Sequence, residues 1–328
     1  MNYPKLMLKY KNYIFISLLI LLAIKVFVPQ LDALYDSIAA LKGADLVWVL
    51  CGTIVFFLGM PILTIQLMAQ ALKPLPFGLT FKVEMAGLFV TKLLPSAVGS
   101  LSLNIYYFIK QGHTASQATA VMAMDTLTST IAYTALIILA LFSSDLSLEG
   151  ISNADIIPDN LLYFIVILLL GSAYLLYRSP SIRAKVAASW HDLKKNFASY
   201  KNRPMAVVWG VVCNFFGSVT TLFALYASAH AVGIDLSLAA ALLAYTFGNI
   251  AATLIPTPGG IGSTEAGLYS GLVVVGVDGA NALVITMLYR LITYWLPILP
   301  GYYYFWGLRK TVLSQFSIKK SDQDYGYI

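Results

Sequence analysis

The chain has 328 residues, of which 59% are hydrophobic and 11% charged, with a formal net charge of +6. A soluble domain carries about 25% charged residues, so this composition excludes an ordinary water-soluble enzyme, a disordered tail and a secreted disulfide scaffold. The apolar runs are continuous rather than alternating, and several reach the roughly 20 residues that cross a bilayer core; the chain reads as an all-α polytopic membrane protein and not as a barrel.

In chain order, the first span is predicted over Asn12–Val28. The lysines before it resemble a signal peptide, but no small-residue cleavage site follows and further spans do, so it is read as retained. A second span follows over Leu46–Leu72, kinked at Pro61. Val83–Lys110 is apolar but interrupted at Pro95–Ser100. Spans over Gln117–Leu141 and Leu161–Tyr177 come next. Within residues 180–203, Ile182, Val186, Trp190, Leu193, Phe197 and Tyr200 share one helical face and the cations fall off it. That pattern predicts an interfacial helix on anionic lipid head groups. A span over Ala206–Val232 precedes a second interrupted run, Ser237–Val275, broken at Pro256–Gly262. The last span is Asn281–Trp306, ending in an aromatic belt of Tyr302, Tyr303, Tyr304 and Trp306. Residues 317–328 are polar and read as a disordered cytoplasmic tail.

Charge decides how the broken runs are threaded. If each enters and leaves by the same face, Lys5, Lys9, Lys11, Lys73, Lys82 and Lys110 share one side. Arg178, Arg183, Lys185, Lys194, Lys195, Lys201 and Arg203 join them, as do Arg309, Lys310, Lys319 and Lys320. That side then holds 17 of the 21 basic residues. The other holds Asp32, Asp36, Asp45, Asp145, Glu149, Asp155, Asp159, Asp235 and Asp278, with Lys42 as its clear cation. The reading is six full transmembrane spans plus two re-entrant hairpins, with both termini cytoplasmic; two short complete crossings per hairpin give the same parity. The basic residues therefore point to a membrane and not to nucleic acid. Cys51 and Cys213 sit inside apolar runs without disulfide or metal spacing, and His113, His191 and His230 lie far apart, so no metal or cofactor is expected.

The two breaks look alike. Pro95 and Pro258 each precede a Gly-Ser pair, Gly99-Ser100 and Gly262-Ser263, by four residues. Asp125 lies 13 residues beyond Gly112, and Arg290 lies 14 beyond Gly276. Residues 1–145 and 160–310 thus form candidate copies of one unit in inverted topology, the pattern that points to a transporter binding site at mid-membrane. Pro256 and Pro258 remove backbone donors, and Gly259, Gly260 and Gly262 permit a tight non-helical turn. Polar backbone freed there cannot face lipid. The helix restarting at Ser263 suits an anion at its N-terminus, which Glu265 itself is placed to supply. Lys25, Glu84, Lys92, Asp125, Glu265 and Arg290 fall at membrane depth, where a central charge costs roughly 2.5–3.5 kcal/mol on insertion scales. Lys25 is close enough to a span end to snorkel, and Glu84 reads as close to the cytoplasmic interface. Lys92, Asp125, Glu265 and Arg290 are read either as ion pairs locking the bundle or as the lining of a polar cavity.

The stretch Ile255-Pro256-Thr257-Pro258-Gly259-Gly260-Ile261-Gly262-Ser263-Thr264-Glu265-Ala266, followed by Tyr289-Arg290-Leu291-Ile292-Thr293-Tyr294-Trp295-Leu296-Pro297 and Pro300-Gly301, resembles the lysylphosphatidylglycerol synthase transmembrane-region family. The best-known member of that family carries this region as its flippase half. The likeness thins in the first half, where Ser100 and Asn104 stand where acidic and arginine residues would be expected after the break. No soluble aminoacyltransferase domain follows the last span, so the resemblance implies lipid handling without lipid synthesis. The expectation is an inner-membrane, flippase-like protein that translocates or binds a polar-headed membrane phospholipid or lipid-linked intermediate. Glu265, Arg290, Pro256, Pro258, Gly259, Gly260, Gly262, Lys92, Pro95, Gly99 and Asp125 are its candidate binding residues. Two alternatives stand beside it. One is a membrane-embedded transferase, although no paired-carboxylate or metal-spaced cluster with a catalytic pattern is present. The other is a scaffold beside an envelope-biosynthesis enzyme.

Overall fold

The computed structural model describes residues 35–93, 96–143, 194–255 and 257–308. The expected first span, the Leu161–Tyr177 span, most of the interfacial helix, Pro95, Pro256 and the tail lie outside the described residues. The secondary structure within them is helical. We number the principal helices α1 (Leu46–Gln70), α2 (Phe77–Leu93), α3 (Ser96–Lys110), α4 (Ala115–Ser143), α5 (Pro204–Ala231), α6 (Leu238–Leu254), α7 (Ser263–Val274) and α8 (Gly279–Leu308). Short 3₁₀ turns at Ala40–Gly43 and Ser199–Asn202 flank α1 and α5.

Four of these helices, α1, α4, α5 and α8, are long and apolar enough to cross a membrane. At about 1.5 Å per residue, the 25 residues of α1 reach past the roughly 30 Å hydrocarbon core. The 17 residues of α2, 15 of α3, 17 of α6 and 12 of α7 span only about 18–26 Å each. α1 runs unbroken through Pro61. Helix starts follow capping chemistry: Asp45 accepts from Val47 N at 2.8 Å, Ser237 from Ala240 N at 3.1 Å, and Asp278 from Ala280 N and Asn281 N, both at 3.1 Å. At the start of α4, Thr114 and Gln117 exchange backbone-to-side-chain bonds of 2.9 and 3.2 Å in a capping box.

Inside lipid, apolar burial gives helices little reason to associate, so close approach through small residues matters more. α1 packs along α5, with Gly52 set against Ala227 and Gly217 against Leu63. In the α6/α7 hairpin a Cβ on Gly267 would come within 2.5 Å of the Phe247 carbonyl, and one on Gly271 within 2.7 Å of Ala244 Cα. The α2/α3 hairpin repeats the device: a Cβ on Gly99 would lie 2.8 Å from the Val90 carbonyl oxygen. The main core gathers Leu222, Leu225, Leu268, Leu272, Ile285 and Leu288 from α5, α7 and α8. A second centres on Leu67, Phe108 and Val121. Leu46, Leu50, Ile54 and Leu58 recur every fourth residue along α1 and are exposed, as a lipid-facing stripe should be.

Two details differ from the sequence reading. Helix α3 begins at Ser96, so Ser96–Ser100 is helical and the first break is narrower than expected. Gly99 serves close packing of the hairpin arms rather than a turn. At the end of the segment read as interfacial, Tyr200 is buried and its Oη donates to the Gln70 carbonyl at 2.6 Å, while Arg203 Nη1 donates to the Ala71 carbonyl at 2.8 Å. Those two residues close the C-terminal end of α1, whose last carbonyls lack helical partners.

Candidate functional site

The second break is a built turn. Gly259, Gly260 and Gly262 have φ of 62°, 71° and 82°, values that side-chain-bearing residues rarely adopt. Gly260 N donates to Thr257 O at 3.0 Å, and Thr264 N donates to Gly260 O at 2.9 Å. Thr257 Oγ1 donates to Ile261 O at 2.7 Å and lies 3.1 Å from Ser263 Oγ. Glu265 stands in the first turn of α7 and accepts from Gly262 N at 2.8 Å, placing its carboxylate at the positive end of that helix.

The other carboxylate oxygen receives Arg290 Nε at 2.7 Å. Both side chains are withdrawn from solvent, 6% exposed for Arg290 and 14% for Glu265. Arg290 Nη2 also donates to the Gly259 carbonyl at 3.2 Å, so the guanidinium ties α8 to the turn twice. At Arg290 the α-helical part of α8 gives way to a π turn over Leu291–Trp295. Such turns are rare and are frequent at functional sites. This one carries Tyr294, which is fully buried. Its ring meets two cations, with Arg290 Cζ 4.1 Å and Lys92 Nζ 4.6 Å from the ring centroid. Lys92 Nζ is also 3.4 Å from the Thr293 carbonyl. Tyr294 Oη is buried without a hydrogen-bond partner, and a Cβ on Gly259 would fall 2.6 Å from it. Two basic side chains, one carboxylate, a free phenol oxygen and a glycine-lined turn therefore converge where the two hairpins meet α8.

Of the residues named from sequence, Glu265, Arg290, Lys92, Gly259, Gly260 and Gly262 fall in or beside this cluster. Gly99 does not line it. Asp125 belongs to a different polar cluster, formed with Gln66 and Gln70 of α1, Thr128 of α4 and Asn214 of α5. Glu84 of α2 accepts from Asn104 of α3 at 3.0 Å. Tyr294, Thr257 and the Gln66/Gln70 pair were not anticipated. The spacing Gln66–Gln70, i and i+4 within an apolar helix, was the signal that could have found the latter.

A helical membrane protein with two interrupted hairpins and an ion pair at one of the breaks is the class these features define. Residues 14–301 match the family described as the lysylphosphatidylglycerol synthase TM region, and the chain belongs to that family. A search of curated proteins found no match to the chain.

Proposed function

We propose that this protein handles membrane lipid in the manner of a flippase, translocating or holding a polar-headed lipid at the second break rather than transforming it chemically. The observation that carries this reading is the Arg290–Glu265 pair locked to a glycine turn, with Lys92 and the unpartnered Tyr294 hydroxyl beside it. A head group crossing a bilayer needs polar partners at depth, while its acyl chains can remain in lipid. Helix ends with unused backbone groups supply such partners only where helices break.

In this reading the chain has six full spans and two re-entrant hairpins, lies in the inner membrane and keeps both termini cytoplasmic. The hairpin arms, shorter than a bilayer crossing, support the re-entrant assignment. The order long helix, hairpin, long helix occurs twice, as α1–α2/α3–α4 and α5–α6/α7–α8, which supports an inverted repeat. Residues 180–203 would rest on anionic head groups as far as the point where Tyr200 and Arg203 dock on the end of α1, and an envelope-biosynthesis enzyme would supply or consume the lipid.

The test is transbilayer movement of a total lipid extract in liposomes containing the purified protein. Acceleration of at least one anionic or zwitterionic lipid is expected. Gly260→Leu should abolish it, because the new side chain meets Thr264 Oγ1 and a φ of 71°. Lys92→Gln, which leaves the turn intact, should slow it. No acceleration of any lipid over empty liposomes, with or without ion gradients, sinks the proposal.

A further inference from the structure

The cluster around Asp125 has a different character from the Arg290–Glu265 site. Asp125 is the eleventh residue of α4, about 15 Å along the helix from its start. Its Oδ1 accepts from Gln66 Nε2 at 2.8 Å and from Asn214 Nδ2 at 3.4 Å. Gln66 Nε2 also donates to Gln70 Oε1 at 2.6 Å, Gln70 Nε2 to Thr128 Oγ1 at 2.7 Å, and Asn214 Nδ2 to Thr128 Oγ1 at 3.1 Å. Gln66, Gln70, Thr128 and Asn214 are buried. Three helices thus build a ring of neutral polar side chains around one carboxylate.

Among the described residues no cation lies within ion-pair distance of Asp125. α1 and α5 face it with Gln66, Gln70 and Asn214, none of which titrates. On α4 itself, Tyr133 is turned to Thr246 and Asn249 of α6. A second acid, Glu84 of α2, accepts from Asn104 of α3 at 3.0 Å. Glu84 also has no cation at ion-pair distance among the described residues. Its partner Asn104 is buried, with an Oδ1 that no donor reaches. A protonated Glu84 would bring an O–H that this oxygen can accept once the amide turns over. Two acids without a counter-ion among the described residues, held within a membrane-spanning bundle, call for a cation. The ring presents N–H groups, not carbonyl oxygens, to Asp125. A sodium ion would need several oxygen ligands there, whereas a proton on the free carboxylate oxygen leaves every bond in the ring in place.

We infer that Asp125 is a proton-binding site, with Glu84 as a second station, and that it couples lipid movement to a proton gradient. A proton from one aqueous face adds to the Asp125 carboxylate as one O–H bond forms. That bond breaks as the proton leaves to the other face, and nothing is oxidised or reduced. The coupling rests on the transport reading above; the protonation does not.

The two parts are tested separately. In the purified protein in lipid nanodiscs, a pH titration followed by infrared difference spectroscopy should show a carboxyl band that appears on acidification. Asp125→Asn should lose it, and Asp125→Glu should keep a shifted band. A spectrum unchanged by Asp125→Asn overturns the site. A midpoint that moves with sodium at constant ionic strength overturns the proton in favour of sodium. In liposomes, an imposed pH gradient should change the initial rate of lipid movement several-fold in the unmodified protein and leave Asp125→Asn indifferent. Equal rates with and without the gradient overturn the coupling while lipid transport stands. Absence of lipid movement in the unmodified protein refutes transport, and coupling with it, while the infrared titration still decides the site.

Discussion

Charge neutralisation at the Arg290–Glu265 pair gives the sharpest energetic test. At a separation of 2.7 Å, unit charges attract by about 6 kcal/mol at an effective dielectric of about 20. Desolvation of both partners offsets much of that. What remains measurable is the cost of leaving one charge behind, typically about 3–5 kcal/mol for a buried pair. Glu265→Gln leaves the guanidinium with the Gly259 carbonyl and the Tyr294 ring as its remaining partners. Arg290→Gln leaves the carboxylate with the Gly262 N–H. Each single variant should therefore lose about 3–5 kcal/mol of unfolding free energy. The double variant, which removes both charges of the pair, should lose about 2–3 kcal/mol less than the sum of the two. The assay is reversible denaturant unfolding in mixed micelles, run on all four proteins of the cycle. Losses that add to within about 0.5 kcal/mol would mean that the residues act independently, and the reasoning from geometry to energy would fail.

Three further outcomes are expected. Gly99→Ala places a Cβ 2.8 Å from the Val90 carbonyl and should cost about 1–3 kcal/mol by overpacking the α2/α3 hairpin, read in the same unfolding assay; a neutral result would mean the arms can separate freely. His113 is buried and must be neutral in the folded protein, because its Nε2 accepts from Lys73 N at 3.1 Å while its Nδ1 meets Phe108 O at 3.2 Å. Burial, helped by the Lys73 charge and opposed by the Phe108 bond, holds its pKa below the ordinary value. Stability from this group is thus complete above about pH 6.5 and falls as pH drops through the lowered folded value; His113→Gln should flatten that slope in thermal unfolding, and an unchanged slope would remove His113 from the account. Finally, in a background lacking Cys51 and Cys213, single cysteines at Asp235 and Lys110 should label from opposite faces of intact cells, whereas labelling from one face would end the threading proposed above.

The helices were legible wherever hydropathy is continuous. The predicted Leu46–Leu72, Gln117–Leu141 and Ala206–Val232 lie within a few residues of α1, α4 and α5. The turn at Thr257–Gly262 was legible because prolines and glycines there exclude helix. Residues 96–100 misled because serine and glycine also suit a helix whose neighbour must come close, and sequence alone cannot separate a turn glycine from a packing glycine. That Glu265 and Arg290 belong among the paired or cavity-lining charges was legible because charges at membrane depth are few and need partners; which of Lys92, Asp125, Glu265 and Arg290 meet is fixed by the fold. A lone uncharged amide such as Asn214 gives no comparable signal, and the Gln66–Gln70 spacing does not say which helix it faces, so the surroundings of Asp125 became visible only with the helices in place. The π turn had no sequence signature at all.

That π turn behaves as one surplus residue stored inside α8. Each residue of an α-helix turns the chain by about 100°, so residues 296–308 are rotated relative to a regular continuation of Gly279–Arg290. Removing one residue from Leu291–Trp295 would restore a regular helix yet swing Gly301 away from Phe89, whose backbone N would lie only 2.8 Å from a Cβ at that glycine. A shorter relative with a straight helix here would have to rebuild its contact with the first hairpin. The length of this segment is therefore a marker by which chains that hold Tyr294 over Arg290 can be told from chains that do not.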